Sequence, residues 1–149
     1  MNDNKSTVLV VDDVSENIEV MIGILEIDYV VKFALNGEKA LEIVRKEPRP
    51  DIILLDIMMP GMNGYDVCTK LKQDMSTVNI PVIFVTAIGD LKGELKGFKV
   101  GGADYITKPV IPEIVLARVK THIELKEVKE KLVEYARRME NMLDDNLDL

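Results

Sequence analysis

The 149 residues carry 26 acidic against 19 basic side chains, a formal charge of −7, and the basic ones form no cluster, so direct nucleic-acid binding is not expected. With 47% hydrophobic and 30% charged residues the chain lies far from the disordered class. Its length suits one domain with a short appendage and excludes two full domains. In chain order, the polar start over 1–6 is expected to be disordered and the apolar run 8–11 is cut off by Asp12 and Asp13, which argues against a signal peptide. No apolar stretch approaches the ~20 residues of a membrane span, and a lone Cys68 fits a reducing compartment, so a cytoplasmic protein without membrane contact is expected. Runs at 8–11, 30–34, 52–55, 82–85 and 105–107 read as strands, being short and mostly β-branched. With no Trp, the core must rest on Val, Ile, Leu and Met, the usual filling of a buried parallel sheet.

Amphipathic stretches separate these runs. Ser15 is expected to cap a helix presenting Ile18, Met21, Ile22 and Leu25, and Gly37 precedes a second with Ala40, Leu41 and Val44, stopped by Pro48 and Pro50. A third follows Gly64 with Val67, Cys68 and Leu71 facing the core, which makes Cys68 packing rather than chemistry. A fourth, about 90–100, has only Leu91, Leu95 and Phe98 as an apolar stripe, and Gly93 and Gly97 should leave it the least rigid. From Pro112 no Pro or Gly interrupts the chain, so one long helix is expected; Leu116, Val119 and Ile123 would close the core. Beyond them Leu125, Val128, Leu132, Tyr135, Met139 and Met142 alternate three- and four-residue steps, a heptad seam expected to pair as a parallel homodimer. The division is therefore a globular domain over 7–123 and a helical extension over 124–149, or a linker to an output domain.

Alternating strands and helices make an α/β, doubly wound parallel sheet, whose ligand site lies beyond the carboxyl ends of the strands. Asp12 and Asp13 follow the first strand, Asp56 the third, Thr86 the fourth and Lys108 the fifth. Oxygen-only ligation by such carboxylates suits Mg²⁺, and Lys108 and Thr86 could balance charge on a transferring phosphoryl group. Asp56, ending the central strand, is the candidate nucleophile. Taken singly, Asp13 could start a turn, Thr86 bond to backbone and Lys108 be a solvated charge; their coincidence at one end of successive strands carries the reading. His122, the only histidine, reads as an exposed helical residue rather than a ligand or phosphodonor.

The stretches Val10-Val11-Asp12-Asp13, Leu54-Leu55-Asp56-Ile57-Met58-Met59-Pro60-Gly61-Met62-Asn63-Gly64, Val85-Thr86-Ala87 and Gly102-Ala103-Asp104-Tyr105-Ile106-Thr107-Lys108-Pro109 resemble the motifs of bacterial response-regulator receiver domains over about 7–123. The resemblance implies a five-stranded flavodoxin-like sheet in the order 2-1-3-4-5. It implies a phosphoacceptor at Asp56, fed by the phosphohistidine of a histidine kinase or phosphotransfer protein. It implies Mg²⁺ on Asp12, Asp13, Asp56 and the backbone carbonyl of Met58, with Thr86 and Lys108 contacting the phosphoryl group. Tyr105 matches an aromatic that reorients with Thr86 on activation, and Pro109, with a cis bond to Lys108, matches a positioning residue. Asp28-Tyr29 stands where a glycine is often found, and the 88–90 loop is individual. Such a domain catalyses only its own phosphorylation and dephosphorylation. Two alternatives are a small Mg²⁺-dependent aspartyl-phosphate phosphatase, disfavoured because Met58 stands where an acid would protonate the leaving group, and a pseudo-receiver, disfavoured because no acceptor residue is lost. A flavin or nucleotide phosphate loop is absent, and Asp12-Asp13 would repel phosphate.

Overall fold

A computed structural model of the chain describes residues 4–87 and 91–147. The expectation of disorder is thus reached only in part, since 1–3 lie outside the described residues, as do the 88–90 loop, the side chain of Leu91 and the last two positions. Five strands and five helices alternate: β1 (Thr7–Val11), α1 (Ser15–Leu25), β2 (Val30–Ala34), α2 (Gly37–Val44), β3 (Ile52–Asp56), α3 (Gly64–Lys72), β4 (Val82–Ala87), α4 (Leu91–Lys99), β5 (Asp104–Lys108) and α5 (Pro112–Leu147). All pairings are parallel and the sheet order is β2-β1-β3-β4-β5, the doubly wound arrangement expected from the sequence.

Because successive strand residues face opposite sides, each strand feeds two apolar layers. Leu9, Val11, Ile53, Leu55 and Phe84 pack with α2, α3 and Tyr105; Val8, Val10, Ile52, Leu54 and Ile83 pack with α1 and the first turns of α5. Every residue of β3 is buried, as a central strand covered on both faces requires. Truncating one of these side chains, such as Leu54→Ala, falls in the class that costs about 2–5 kcal/mol. β2 is the edge strand, and its Val30 and Phe33 stay half exposed.

Helix starts follow local chemistry with one correction. Asn36 and Asn63 cap α2 and α3, the latter through a reciprocal capping box with Asp66. Ser15 does not cap α1. It is the first helical residue, the cap position is Val14, and no side chain bonds there. Two core assignments also shift. Val115 is fully buried, whereas Leu116 is only partly so. On α4 two residues of the expected stripe point outward, Leu95 being 58% and Phe98 51% exposed, and the inward position is Gly97. The reason is Tyr105, whose ring lies beneath this helix: a Cβ on Gly97 would meet its hydroxyl at 1.9 Å.

α5 is continuous over 36 residues, about 54 Å at 1.5 Å per residue. Its first third covers the sheet through Val115, Val119 and Ile123. From Leu125 onward it leaves the domain, and all six seam residues are at least 42% exposed. No helix among the described residues is long and apolar enough to cross a membrane.

Candidate functional site

Each apolar strand stops where a polar side chain reaches the carboxyl rim of the sheet. The parallel register sets Asp56 beside Val85, Thr86 beside Thr107 and Ala87 beside Lys108, so β4 and β5 end level and β3 two residues short of them. β1 delivers Asp12 and Asp13 next to β3. Carboxylate oxygens of Asp12, Asp13 and Asp56 lie within 4.8 Å of one another. The Lys108 ammonium donates to Asp12 Oδ2 and Asp56 Oδ1, each at 3.3 Å. Asp12, Asp56 and Thr86 are buried while Asp13 is exposed, so the cluster opens to solvent on one side.

Asp12 is held rigidly. Its Oδ1 accepts from the Val14 backbone N–H at 2.9 Å and its Oδ2 from the Asn17 amide at 3.1 Å. Asn17, one turn into α1, is a site residue that the sequence reading missed. The loop after Asp56 is closed by Gly64, whose N–H donates to the Ile57 carbonyl at 2.9 Å. A side chain at Gly64 would strike the Asp56 carbonyl at 2.4 Å, so only glycine allows α3 to start this close to the acid. Met58 lies in this loop with its side chain 81% exposed at the rim. The Lys108–Pro109 peptide is cis, as the resemblance implies.

Burial pushes the Asp56 carboxyl above its ordinary range, the Asp12 charge adds to this, and Lys108 opposes both. For Lys108, burial pulls downward, but the facing carboxylates of Asp56 and Asp12 outweigh it and hold the ammonium charged. Three carboxylates against one ammonium leave two negative charges unbalanced. An all-oxygen donor set with excess negative charge and one open side suits Mg²⁺, which binds a few carboxylates and keeps several waters.

Tyr105 sits two strand residues from Thr107, the neighbour of Thr86, and is turned inward. Its hydroxyl donates to the Gly93 and Glu94 carbonyls at 2.6 and 2.8 Å, and its ring meets Phe84 and Phe98 at centroid distances of 5.6 and 5.2 Å. Burial, with Tyr65 nearby, raises its phenol well above the usual value. Cys68 is fully buried and its thiol is pushed up to about 11 by that burial, consistent with packing.

A second polar cluster occupies the opposite end of the sheet. Asp104, the first residue of β5, pairs with Arg118 at 3.0 Å and His122 at 2.9 Å on α5, and accepts from the Tyr105 N–H. Asp51, just before β3, accepts from the Thr7 N–H at 2.7 Å and faces Lys126 at 3.5 Å. His122 is therefore not an exposed helical residue: its side chain is 14% exposed and engaged with an acid. The only hint in the sequence is that α5 places Arg118 and His122 four residues apart on one face.

Comparison with known proteins agrees with this geometry. A family model described as the response regulator receiver domain matches residues 8–120. The response regulator PleD of Caulobacter vibrioides is 40% identical over 126 residues, covering 84% of this chain and 28% of its own length. A probable cyclic di-GMP phosphodiesterase of Vibrio cholerae is 41% identical over 130 residues, 87% of this chain and 29% of that protein. The chain thus spans under a third of either relative. Among solved structures, a putative response regulator from Chloroflexus aurantiacus superposes with a TM-score of 0.78 at 34% identity, covering 81% of this chain and 99% of the other.

Proposed function

The chain belongs to the response regulator receiver family of two-component signalling, and from that premise we propose that it accepts a phosphoryl group on Asp56 from the phosphohistidine of a histidine kinase or phosphotransfer protein. The observation that carries this is the single ammonium of Lys108 reaching both Asp56 and Asp12 at 3.3 Å on an otherwise acidic rim. One oxygen of Asp56 attacks phosphorus, the P–N bond breaks with its electron pair returning to the donor imidazole, and a mixed anhydride forms. Lys108 meets the negative charge on the transferred oxygens and Thr86 offers them its hydroxyl. Water entering at the open side attacks the same phosphorus and restores the carboxylate, so the domain turns over only its own phosphate. Asp12, Asp13, Asp56 and the Met58 carbonyl would hold Mg²⁺, which supplies the positive charge that the rim lacks.

In the switch that follows, Thr86 moves towards the phosphoryl oxygens and Tyr105 reorients to fill the space it leaves. The test is intact mass after incubation with acetyl phosphate and Mg²⁺, with borohydride trapping to locate the label. Asp56 should carry it and Asp56→Asn should stay unlabelled; a label on His122 or a serine overturns the reading. Asp13→Ala should slow labelling, and a wild-type rate in that variant without divalent metal would rule out the Mg²⁺ site.

A further inference from the structure

We infer that α5 beyond Leu125 is the interface of a parallel, in-register homodimer, in which the partner's Glu124 enters the groove at the root of the helix. The seam takes heptad positions a and d: Leu125, Leu132 and Met139 at a, Val128, Tyr135 and Met142 at d. These six side chains are 42–63% exposed, with Val133 and Leu143 also bare, on a helix whose contact with the domain over this length is confined to its root, where Lys126 faces Asp51. A straight helix drifts about 20° per heptad against a 3.5-residue repeat, so a strict repeat stays buried only along another helix that supercoils with it. A flat protein surface does not select that period.

The flanking charges choose the orientation and point to a second copy of this chain. Positions g are Glu124, Lys131, Arg138 and Asp145; positions e are Lys129, Ala136 and Leu143. In a parallel pair each g faces the e five residues on in the partner, which sets Glu124 against Lys129, Lys131 against Ala136 and Arg138 against Leu143. One pair attracts and none repels. In a fully overlapped antiparallel pair g faces g, which sets Glu124 against Asp145 and Lys131 against Arg138, like charges at both g contacts. Asn146 continues the a series, and in register two copies place these amides opposite each other, a device that specifies two parallel strands.

The receiver supplies the rest of the seat. A groove of about 750 Å³ runs along the a and e side of the root, lined by Val78, Pro81 and Ala103 below the sheet and by Leu125, Lys129 and Leu132 on the helix, with Lys72 at its wall. Lys72 and Lys129 lie close enough that their charges oppose each other. Glu124 of a parallel second copy faces Lys129 at this point, so one acid from the second copy relieves a like-charge contact in the first.

Cys68 is fully buried, so single cysteines on the seam report without background. In the full chain under mild oxidation, Val128→Cys and Met142→Cys should each form disulfide-linked dimers. An antiparallel dimer would leave both unlinked and link only near Tyr135, which overturns the parallel register. Sedimentation equilibrium should show a dimer at about 100 μM, the threshold of a weak complex. Leu132→Asp, on an exposed position that cannot unfold the receiver, should raise the dissociation constant at least ~100-fold. Glu124→Lys should weaken the dimer and Glu124→Lys with Lys129→Glu should restore it; no restoration overturns the groove contact. A wild-type chain that is monomeric at that concentration, or that dimerises equally well with Leu132→Asp, overturns the inference.

Discussion

Asp56 carries an electrostatic cost in the metal-free protein, because burial and Asp12 raise its affinity for a proton above that of the unfolded chain. A carboxyl raised in the folded state lowers stability in full at pH above its folded value; the loss shrinks as pH falls below that value and is gone below the lower unfolded one. Asp56→Asn is therefore expected to melt higher than wild type at pH 7 in chelator, by about 0.5–2 kcal/mol, the usual gain when a strained functional group is neutralised. Added Mg²⁺ should raise the melting temperature of wild type but not of this variant, and a less stable Asp56→Asn in chelator would reverse the sign. Asp104 behaves oppositely. Burial works against its charge, but the His122, Tyr105 N–H and Arg118 contacts prevail and hold it below the usual carboxylate range. Its contribution is present above the unfolded value of about 3.9 and is lost as pH falls through the lower folded one. Asp104→Asn should lose about 1–2 kcal/mol at pH 7, with the gap to wild type closing in acid melts. The rim acids were readable from the sequence because each stands where an apolar run ends. Asn17 was not, since its bond depends on how the turn after Asp12 folds back, nor were Asp51 and the Asp104–His122 pair, whose partners come from elsewhere in the chain.

The elements show a similar division. Strand positions followed from β-branched runs separated by amphipathic stretches, the sheet order from the family resemblance, and the buried faces of α2 and α3 from their spacing. α4 did not, because Leu95 and Phe98 face solvent and a glycine faces the core, an inversion that becomes intelligible only when Tyr105 is seen beneath it. Gly97 is thus a packing residue as well as a helix weakener. Gly97→Ala should expel the Tyr105 hydroxyl from its two carbonyl partners at a cost of about 1–3 kcal/mol, the range for overpacking. Tyr105→Phe keeps the ring and should lose only about 1 kcal/mol. Thermal melts rank the two, and equal losses would mean that the clash is absorbed elsewhere. Thr86→Ala should still take the label on Asp56 but no longer change amide exchange over 91–105 on phosphorylation; an unchanged response would detach Thr86 from α4.

At the scale of the whole molecule, the apolar layers end at Ile123 and α5 continues beyond them. Nothing beyond Lys126 adds to the two apolar layers, so a chain cut there should keep its melting temperature within ~2 °C at low concentration. The full chain's melting temperature should rise with concentration and the short one's should not; a large loss on cutting would extend the domain into the helix. β5 joins the two parts. It is five residues long, with Lys108 at the rim and Asp104 at the helix clamp, roughly 13 Å from end to end at 3.3 Å per residue. Both ends are fastened, one to the acids and the other to Arg118 and His122. The strand therefore ties the acid rim to the root of α5: with the phosphoryl transfer proposed above, any displacement of Lys108 would be passed along β5 to Asp104 and its contacts with Arg118 and His122.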